Sequence, residues 1–268
     1  MTDVNAANAD FWNEPCGTLL ARSIGINEFT PASLARFDET YLSFYPYLRP
    51  IIDRAGFVGA DVLEIGLGYG TVGQYLAEGA KSYRGIDIAE EPVGLLELRL
   101  QAIGRTGTAH AQQGNALALP FEDASFDVVV SIGTLHHTGD LARALGEVRR
   151  VLRPGGRAVV MVYNGWSFRR LAHLARTGLR RLIARRASDA DRDLRKAFDA
   201  NTAGEAAPHT DFVSVRGARR LLAGFSTSRT ELRNFDDYVV LRRVVPRRWF
   251  MGSVDRVLGL DLYITAVR

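Results

Sequence analysis

Two hydrophobic rhythms alternate along this chain. Short apolar runs, such as Val62-Leu63 with Ile65 and Val128-Val129-Val130, are separated by stretches in which apolar residues recur every three or four positions. The runs predict strands over 62–65, 82–86, 108–112, 126–132 and 157–163, and the helical spacing predicts helices over 71–78, 92–103 and 141–152. Strands alternating with helices form a parallel sheet covered on both faces, so the core is α/β with a Rossmann-like layout. Ligands of such sheets bind beyond the carboxyl ends of the strands, which directs attention to the turns.

The first strand breaks into Gly66-Leu67-Gly68-Tyr69-Gly70, with Gly73 close behind. Glycine at every second position lets the backbone turn tightly and approach a ligand closely. The helix that follows points its positive N-terminal end at the same spot. Gly68, Gly70 and Gly73 also satisfy the G-x-G-x-x-G dinucleotide pattern, and Asp87 stands where an acidic partner for a ribose is expected. The loop alone therefore leaves a dinucleotide and another adenosine cofactor both open. Glu64, inside the strand, favours a ligand carrying an ammonium group over a bare pyrophosphate.

Composition narrows the class. The chain has 268 residues and 47% hydrophobic content, enough to bury a sizeable core. It contains no apolar run of membrane-spanning length and begins with a polar, acidic stretch unlike a signal peptide, so a cytoplasmic protein is expected. Cys16 is the one cysteine, which excludes an internal disulfide and a cysteine-based metal cluster. His110, His173 and His209 are scattered singly, and no metal is expected. Net charge is +4, with Lys81 and Lys196 the only lysines, so arginine carries the excess and concentrates between Arg169 and Arg186.

The remaining turns carry candidate chemistry. Asp87 is followed by Ile88, and Gly114-Asn115-Ala116 follows the third strand. The fourth strand runs through Ser131-Ile132-Gly133 to His136-His137, where general bases and substrate contacts are found. Leu152-Arg153-Pro154-Gly155-Gly156 turns from a helix into the fifth strand, which ends at Tyr163-Asn164. These motifs, in this order and spacing with Glu64-Ile65-Gly66-Leu67-Gly68-Tyr69-Gly70, resemble class I S-adenosylmethionine-dependent methyltransferases. The resemblance covers residues 62–163 and is closest to the ubiquinone and menaquinone methyltransferase group.

The resemblance implies a seven-stranded, mostly parallel sheet whose last strand is antiparallel. It also implies S-adenosyl-L-methionine as cofactor and S-adenosyl-L-homocysteine as product. The loop of Gly66, Gly68, Tyr69 and Gly70 would wrap the methionine moiety, with Glu64 on its ammonium group. Asp87 would take the ribose hydroxyls, Ile88 would lie against the adenine, and Asn115 and Ala116 would read the adenine edge. Backbone at Ser131, Ile132 and Gly133 would lie beside the sulfonium. Aspartate is commoner than asparagine at position 115, but asparagine both donates and accepts.

Four regions follow: an aromatic helical lid over 1–50, the cofactor-binding core over 51–163, a basic helical cap over 164–210 and a sheet-completing segment over 211–268 with an insertion at 236–258. In the first, Phe37, Tyr41, Phe44 and Tyr45 recur at helical spacing, either packing on the body or closing an active site. Trp12, Tyr41, Tyr45, Tyr163 and Asn164 are candidate substrate contacts, and His136 or His137 a candidate base. In the third, Phe168, Leu171, Leu174, Leu179, Leu182 and Ile183 are surrounded by Arg169, Arg170, Arg176, Arg180, Arg181, Arg185 and Arg186 in a helix over 166–186, and a polar, partly mobile loop is expected over 187–208. Methyl transfer to an O, N or C atom of a small, partly apolar metabolite is the leading expectation. A quinone or lipid methyltransferase docking at a membrane surface through the basic helix is one alternative, and a non-catalytic cofactor-binding regulator is another. A nucleic-acid methyltransferase is disfavoured, because residues 131–134 lack an Asn/Asp-Pro-Pro-aromatic sequence.

Overall fold

The computed structural model describes residues 3–14, 18–184, 190–240 and 243–268. Cys16, Arg185, Arg186 and Arg242 lie outside the described residues, as do the side chains of Leu179, Arg180, Arg181, Leu182 and Ile183. Four helices come first: α1 (Asp3–Trp12), α2 (Leu19–Ser23), α3 (Pro31–Phe44) and α4 (Leu48–Asp53). The alternating core follows as β1 (Asp61–Ile65), α5 (Thr71–Gly79), β2 (Ser82–Asp87), α6 (Glu90–Ala102), β3 (Ala109–Gln113), β4 (Phe126–Ile132), α7 (Leu141–Val151) and β5 (Leu152–Tyr163). Beyond it lie α8 (Phe168–Ala184), α9 (Ala190–Phe198), α10 (Val215–Leu221), β6 (Thr227–Arg233), the hairpin β7 (Tyr238–Val240) and β8 (Arg243–Val245), α11 (Asp255–Leu258) and β9 (Asp261–Val267).

Seven strands form one sheet in the order β3-β2-β1-β4-β5-β9-β6. Neighbours from β3 to β5 run parallel, whereas β9 lies between β5 and β6 and is antiparallel to both. The sheet expected from the resemblance is thus the one found. β1 is flanked by β2 on one side and β4 on the other, and the chain winds outward both ways from it, which opens a crevice at their carboxyl ends. Alternate residues of the central strands enter two separate apolar cores. Leu63, Ile65, Val129 and Val160 pack under α7 and α10, while Val62, Val128, Val130 and Val159 pack under α4, α5 and α6. Each such side chain removed from water contributes about 1.5–3 kcal/mol.

Helix boundaries follow the local sequence. Thr30 and Ser33 form a reciprocal capping box around Pro31 at the start of α3, and the Asp140 carboxylate accepts from the Arg143 N–H at the start of α7. Two expectations change. Residues 152–156, read as a turn, belong to β5: Leu152 pairs with Phe126, and the register shifts before Arg157 meets Val128, so the glycines form a bulge within the strand. Residues 190–198, read as part of a mobile loop, form α9, which buries Leu194 and Phe198 on Leu260. The polar composition of that segment hid two apolar residues four apart on one face.

A single acid interrupts the apolar interior. Glu64 faces the α5–α6 side of β1 and is 2% exposed, and the Tyr83 hydroxyl donates to its Oε2. Gly73 in α5 makes room for this pair: a Cβ there would stand 2.6 Å from Glu64 Oε2 and 2.7 Å from the Tyr83 hydroxyl. Helix propensity alone would make Gly73→Ala stabilising by about 1 kcal/mol. The crowding reverses the sign, and the expected result is a loss of about 1–3 kcal/mol in urea unfolding. A raised midpoint would show that the Glu64–Tyr83 pair yields freely.

Candidate functional site

The crevice at the carboxyl ends of β1, β2 and β4 is a cavity of about 360 Å³. That size suits a small-molecule ligand. Its floor is the glycine-rich turn. Gly66, Gly68 and Gly70 all have left-handed backbone, with φ of 85°, 49° and 73°. A Cβ on Gly66 would strike Thr134 Oγ1 at 1.8 Å, whereas one on Gly68 would meet no protein atom within 4 Å. The glycine at 66 therefore packs the turn against the end of β4, and the one at 68 bares backbone towards the cavity. Gly70 caps α5 from beneath, with the Arg99 side chain against it, and is not part of the cavity wall.

Two carboxylates stand in this floor. Burial pushes Glu64 up to about 8, with the neighbouring Asp87 adding in the same direction and the Tyr83 hydroxyl opposing. Asp87 is also raised by burial, although Leu67 N–H donates to its Oδ2 at 2.8 Å and Ala89 N–H to its Oδ1 at 3.0 Å. A carboxylate oxygen has a second lone pair, so Asp87 keeps acceptor capacity towards the cavity. Two acids desolvated side by side are stabilised by an incoming cation. Ile88, Asn115, Ala116, Ile132 and Gly133 complete this end of the wall. Asn115 Oδ1 accepts from the Leu117 N–H, which leaves its NH₂ as the group available for recognition. Ser131 is fully buried and donates to the Ile65 carbonyl, a scaffold bond behind the wall.

The N-terminal helices close the cavity. Phe37 of α3 stacks on Tyr69 of the glycine turn with centroids 3.7 Å apart and planes 8° from parallel. Asp38 makes a two-pronged ion pair with the buried Arg99 of α6, at 2.8 and 2.9 Å, and accepts from Thr71 Oγ1 at 2.6 Å. The helix is thereby fixed to α5, α6 and the turn together. Trp12, Tyr41 and Tyr45 reach the cavity wall. So do Asn5 and Asn8 of α1 and Asp199 just after α9, none of them anticipated from the sequence. The only sequence signal for the two asparagines was their i, i+3 spacing within a polar segment.

The adjacent histidines separate. Both lie in a 3₁₀ turn over Leu135–His137 and are buried. His137 borders the cavity beside Trp12, with ring centroids 4.9 Å apart. His136 does not border it and packs against Tyr163 at 4.3 Å, so burial holds its imidazole well below its ordinary value. Tyr163 and Asn164 also stand behind the wall. Asn164 is spent on the scaffold, donating to the Gly259 carbonyl and accepting from the Trp166 N–H. Tyr163 donates to Asp199 Oδ1 at 3.1 Å. Among the described residues no group of three or more His, Cys, Asp or Glu side chains is placed to hold a metal, and no helix is long and apolar enough to cross a membrane.

Comparison with known proteins places this geometry. Residues 63–160 match the family described as a methyltransferase domain. A Mycolicibacterium smegmatis protein named as a probable S-adenosylmethionine-dependent methyltransferase is 36% identical over 110 residues, covering 41% of this chain and 40% of its own. The phthiotriol/phenolphthiotriol dimycocerosates methyltransferase of Mycobacterium tuberculosis is 38% identical over 100 residues, covering 37% and 36%. The chain thus spans about two fifths of the length of these curated relatives. A chain from the complex of the Haloferax volcanii Trm112 methyltransferase activator with a methyltransferase superimposes with a TM-score of 0.60 at 18% identity, covering 88% of this chain and 96% of that one, a likeness of fold.

The buried acid gives a pH signature without any ligand. Glu64 is raised from 4.5 to about 8 in the folded protein, so its stabilising contribution is complete below pH 4.5 and is lost as pH rises towards 8. Glu64→Gln, which cannot ionise, is expected to flatten the fall in stability across that window and to be the more stable protein at its upper end. Urea midpoints measured at both ends check this, and equal slopes in the two proteins would rule it out.

Proposed function

We propose that this chain is a class I S-adenosylmethionine-dependent methyltransferase that transfers the cofactor's methyl group to a nucleophilic atom of a small, partly apolar molecule held beneath the N-terminal helices, a reading supported by the methyltransferase-domain match over residues 63–160 and by the strand order of the sheet. One observation carries the reading: the buried Glu64, the half-buried Asp87 and a bare glycine turn meet at the carboxyl end of β1. A ligand with an ammonium group, a ribose and an adenine matches that donor and acceptor set. Glu64 would take the ammonium, whose charge restores the ionised form that burial opposes. Asp87 would take the ribose hydroxyls, the Asn115 NH₂ would donate to the adenine, and Gly68 leaves room for the methionine chain.

S-adenosylmethionine supplies an activated methyl on a good leaving group. The protein's share is to hold the acceptor in line with that methyl and to exclude water, which is worth several kcal/mol of barrier when the geometry is fixed. Trp12, Tyr41 and Tyr45 supply the flat apolar walls, and the stacked Phe37–Tyr69 pair with the Asp38–Arg99 clasp keeps the cover in register with the cofactor turn. Of the two histidines, His137 is the one at the wall and the one suited to act on a bound acceptor. The relatives' own substrates do not carry over, because the matched part is about two fifths of each chain.

Titration calorimetry tests the assignment. S-adenosylhomocysteine is expected to bind the wild-type protein, and Asp87→Ala to weaken it by about 10- to 100-fold, the loss of a hydrogen bond or two to a charged group. Uptake of a nicotinamide dinucleotide in its place would overturn the reading.

A further inference from the structure

Two buried polar groups, His137 and Asp199, face each other across the wall of the cavity with no hydrogen bond between them. His137 Nδ1 lies 2.8 Å from the His209 carbonyl oxygen, with Thr210 Oγ1 at 3.3 Å. A carbonyl can only accept, so Nδ1 carries the hydrogen and Nε2 presents its lone pair. That Nε2 is buried, has no hydrogen-bond partner and stands 3.8 Å from Asp199 Oδ2, which is itself buried and unpartnered. Both residues border the cavity. Orphaned buried acceptors are costly and call for a donor.

Asp199 is held for this role by three separate contacts. The Tyr163 hydroxyl occupies its other oxygen at 3.1 Å, its N–H donates to the Arg195 carbonyl at 2.8 Å, and its own carbonyl accepts from Ala207 N–H at 3.2 Å. The same segment wraps the histidine turn, since Asp211 N–H donates to the His136 carbonyl at 2.7 Å. The charged and titratable groups facing His137 are Asp199, Asp211, His136 and His209, and those facing Asp199 include Arg169 and Tyr163. Burial is the largest influence on both members, lowering His137 and raising Asp199, and it leaves the imidazole neutral and ready to accept a proton.

Resting on the methyl-transfer reading, we infer that Asp199 is the positioning residue of a His137–Asp199 pair that takes the proton from a neutral hydroxyl group of the methyl acceptor. The acceptor's O–H bond breaks to His137 Nε2. An O–CH₃ bond forms as the methyl's bond to sulfur breaks, and that bonding pair stays on the sulfur. The imidazolium so formed lies beside the Asp199 carboxylate, and its proton passes to water when the cavity opens. A hydroxyl is the acceptor class that needs this arrangement. An uncharged aromatic amine attacks through a lone pair it already has and sheds its proton afterwards, and a carboxylic acid arrives ionised and is repelled by Asp199.

The pair can be tested without knowing the natural acceptor. In the S-adenosylhomocysteine-loaded protein, the imidazole NMR titration of His137 is expected to fall by about one pH unit in Asp199→Asn, because an opposite charge at this distance shifts a pKa by about 1–3 units. Asp199→Glu is expected to restore most of that shift. S-adenosylhomocysteine affinity should stay within about threefold in both variants, which reports on folding. Labelled methyl offered with 4-methylumbelliferone, cyclohexanol, aniline and benzoate is expected in the phenol or the alcohol. An unchanged His137 titration overturns the pair. Label in the amine or the acid alone, or in none of the four by a protein that takes up the cofactor, overturns the hydroxyl class. A wild-type protein that binds neither S-adenosylmethionine nor its product sinks the methyl-transfer reading itself, so the two failures are told apart.

Discussion

The structure turns on a carboxylate buried in the central strand of a sheet that is apolar on both faces. Removing an ionised carboxylate from water costs far more than one hydrogen bond returns, and Glu64 receives a single hydroxyl, from Tyr83. Its neighbours accommodate it: Gly73 withdraws from the helix above, and Gly85 opens the adjacent strand, where a Cβ would stand 2.8 Å from the Tyr83 hydroxyl. A sequence optimised for stability alone would place valine at this position. The retained acid, with Asp87 beside it, makes sense as half of an interaction whose other half is a positively charged ligand.

A second constraint joins the cover to the floor. α3 contributes a ring that stacks on the glycine turn and a carboxylate that clasps a buried arginine, two contacts one residue apart in sequence. Because Arg99 also bonds Gln74 of α5, the cover is tied to the helix whose N-terminus faces the cavity. The N-terminal cover and the glycine-turn floor of the cavity are thus mechanically joined, although they come from different stretches of the chain. The far end of the cavity has a different origin again: Asp199 and the backbone that fixes His137 come from the segment between β5 and β6.

The sequence made the core legible because its signals are local. Apolar runs marked the five parallel strands, the β4 bounds agreed in full, and the glycine turn announced a close backbone approach. Gly66, Gly68, Asp87, Asn115 and Gly133 converge as their positions at strand ends required. What stayed hidden depends on contacts distant in the chain. Nothing in the His136-His137 dipeptide says which ring borders the cavity; the turn that follows β4 and the carbonyl of His209 decide it. Asp199 was concealed inside a polar stretch read as a loop, and its meaning arises only when α9 folds back beneath Tyr163. Asn164 looked like a contact because it ends a strand, yet the carbonyl of Gly259 claims it first.

The place of β9 has a consequence for how the molecule is made. It is the ninth of the described strands in chain order yet sits inside the sheet, and it is the only partner that β6 has there. Until residues 261–267 have left the ribosome, β5 presents an unpaired edge and β6 has nothing to join. Long-range pairing of this kind forms late and leaves an aggregation-prone intermediate exposed. The nascent protein therefore carries an open flank from the completion of β5 at Tyr163 until β9 emerges, a window in which a chaperone or an early ligand bound at the β1 turn would have the greatest effect on yield.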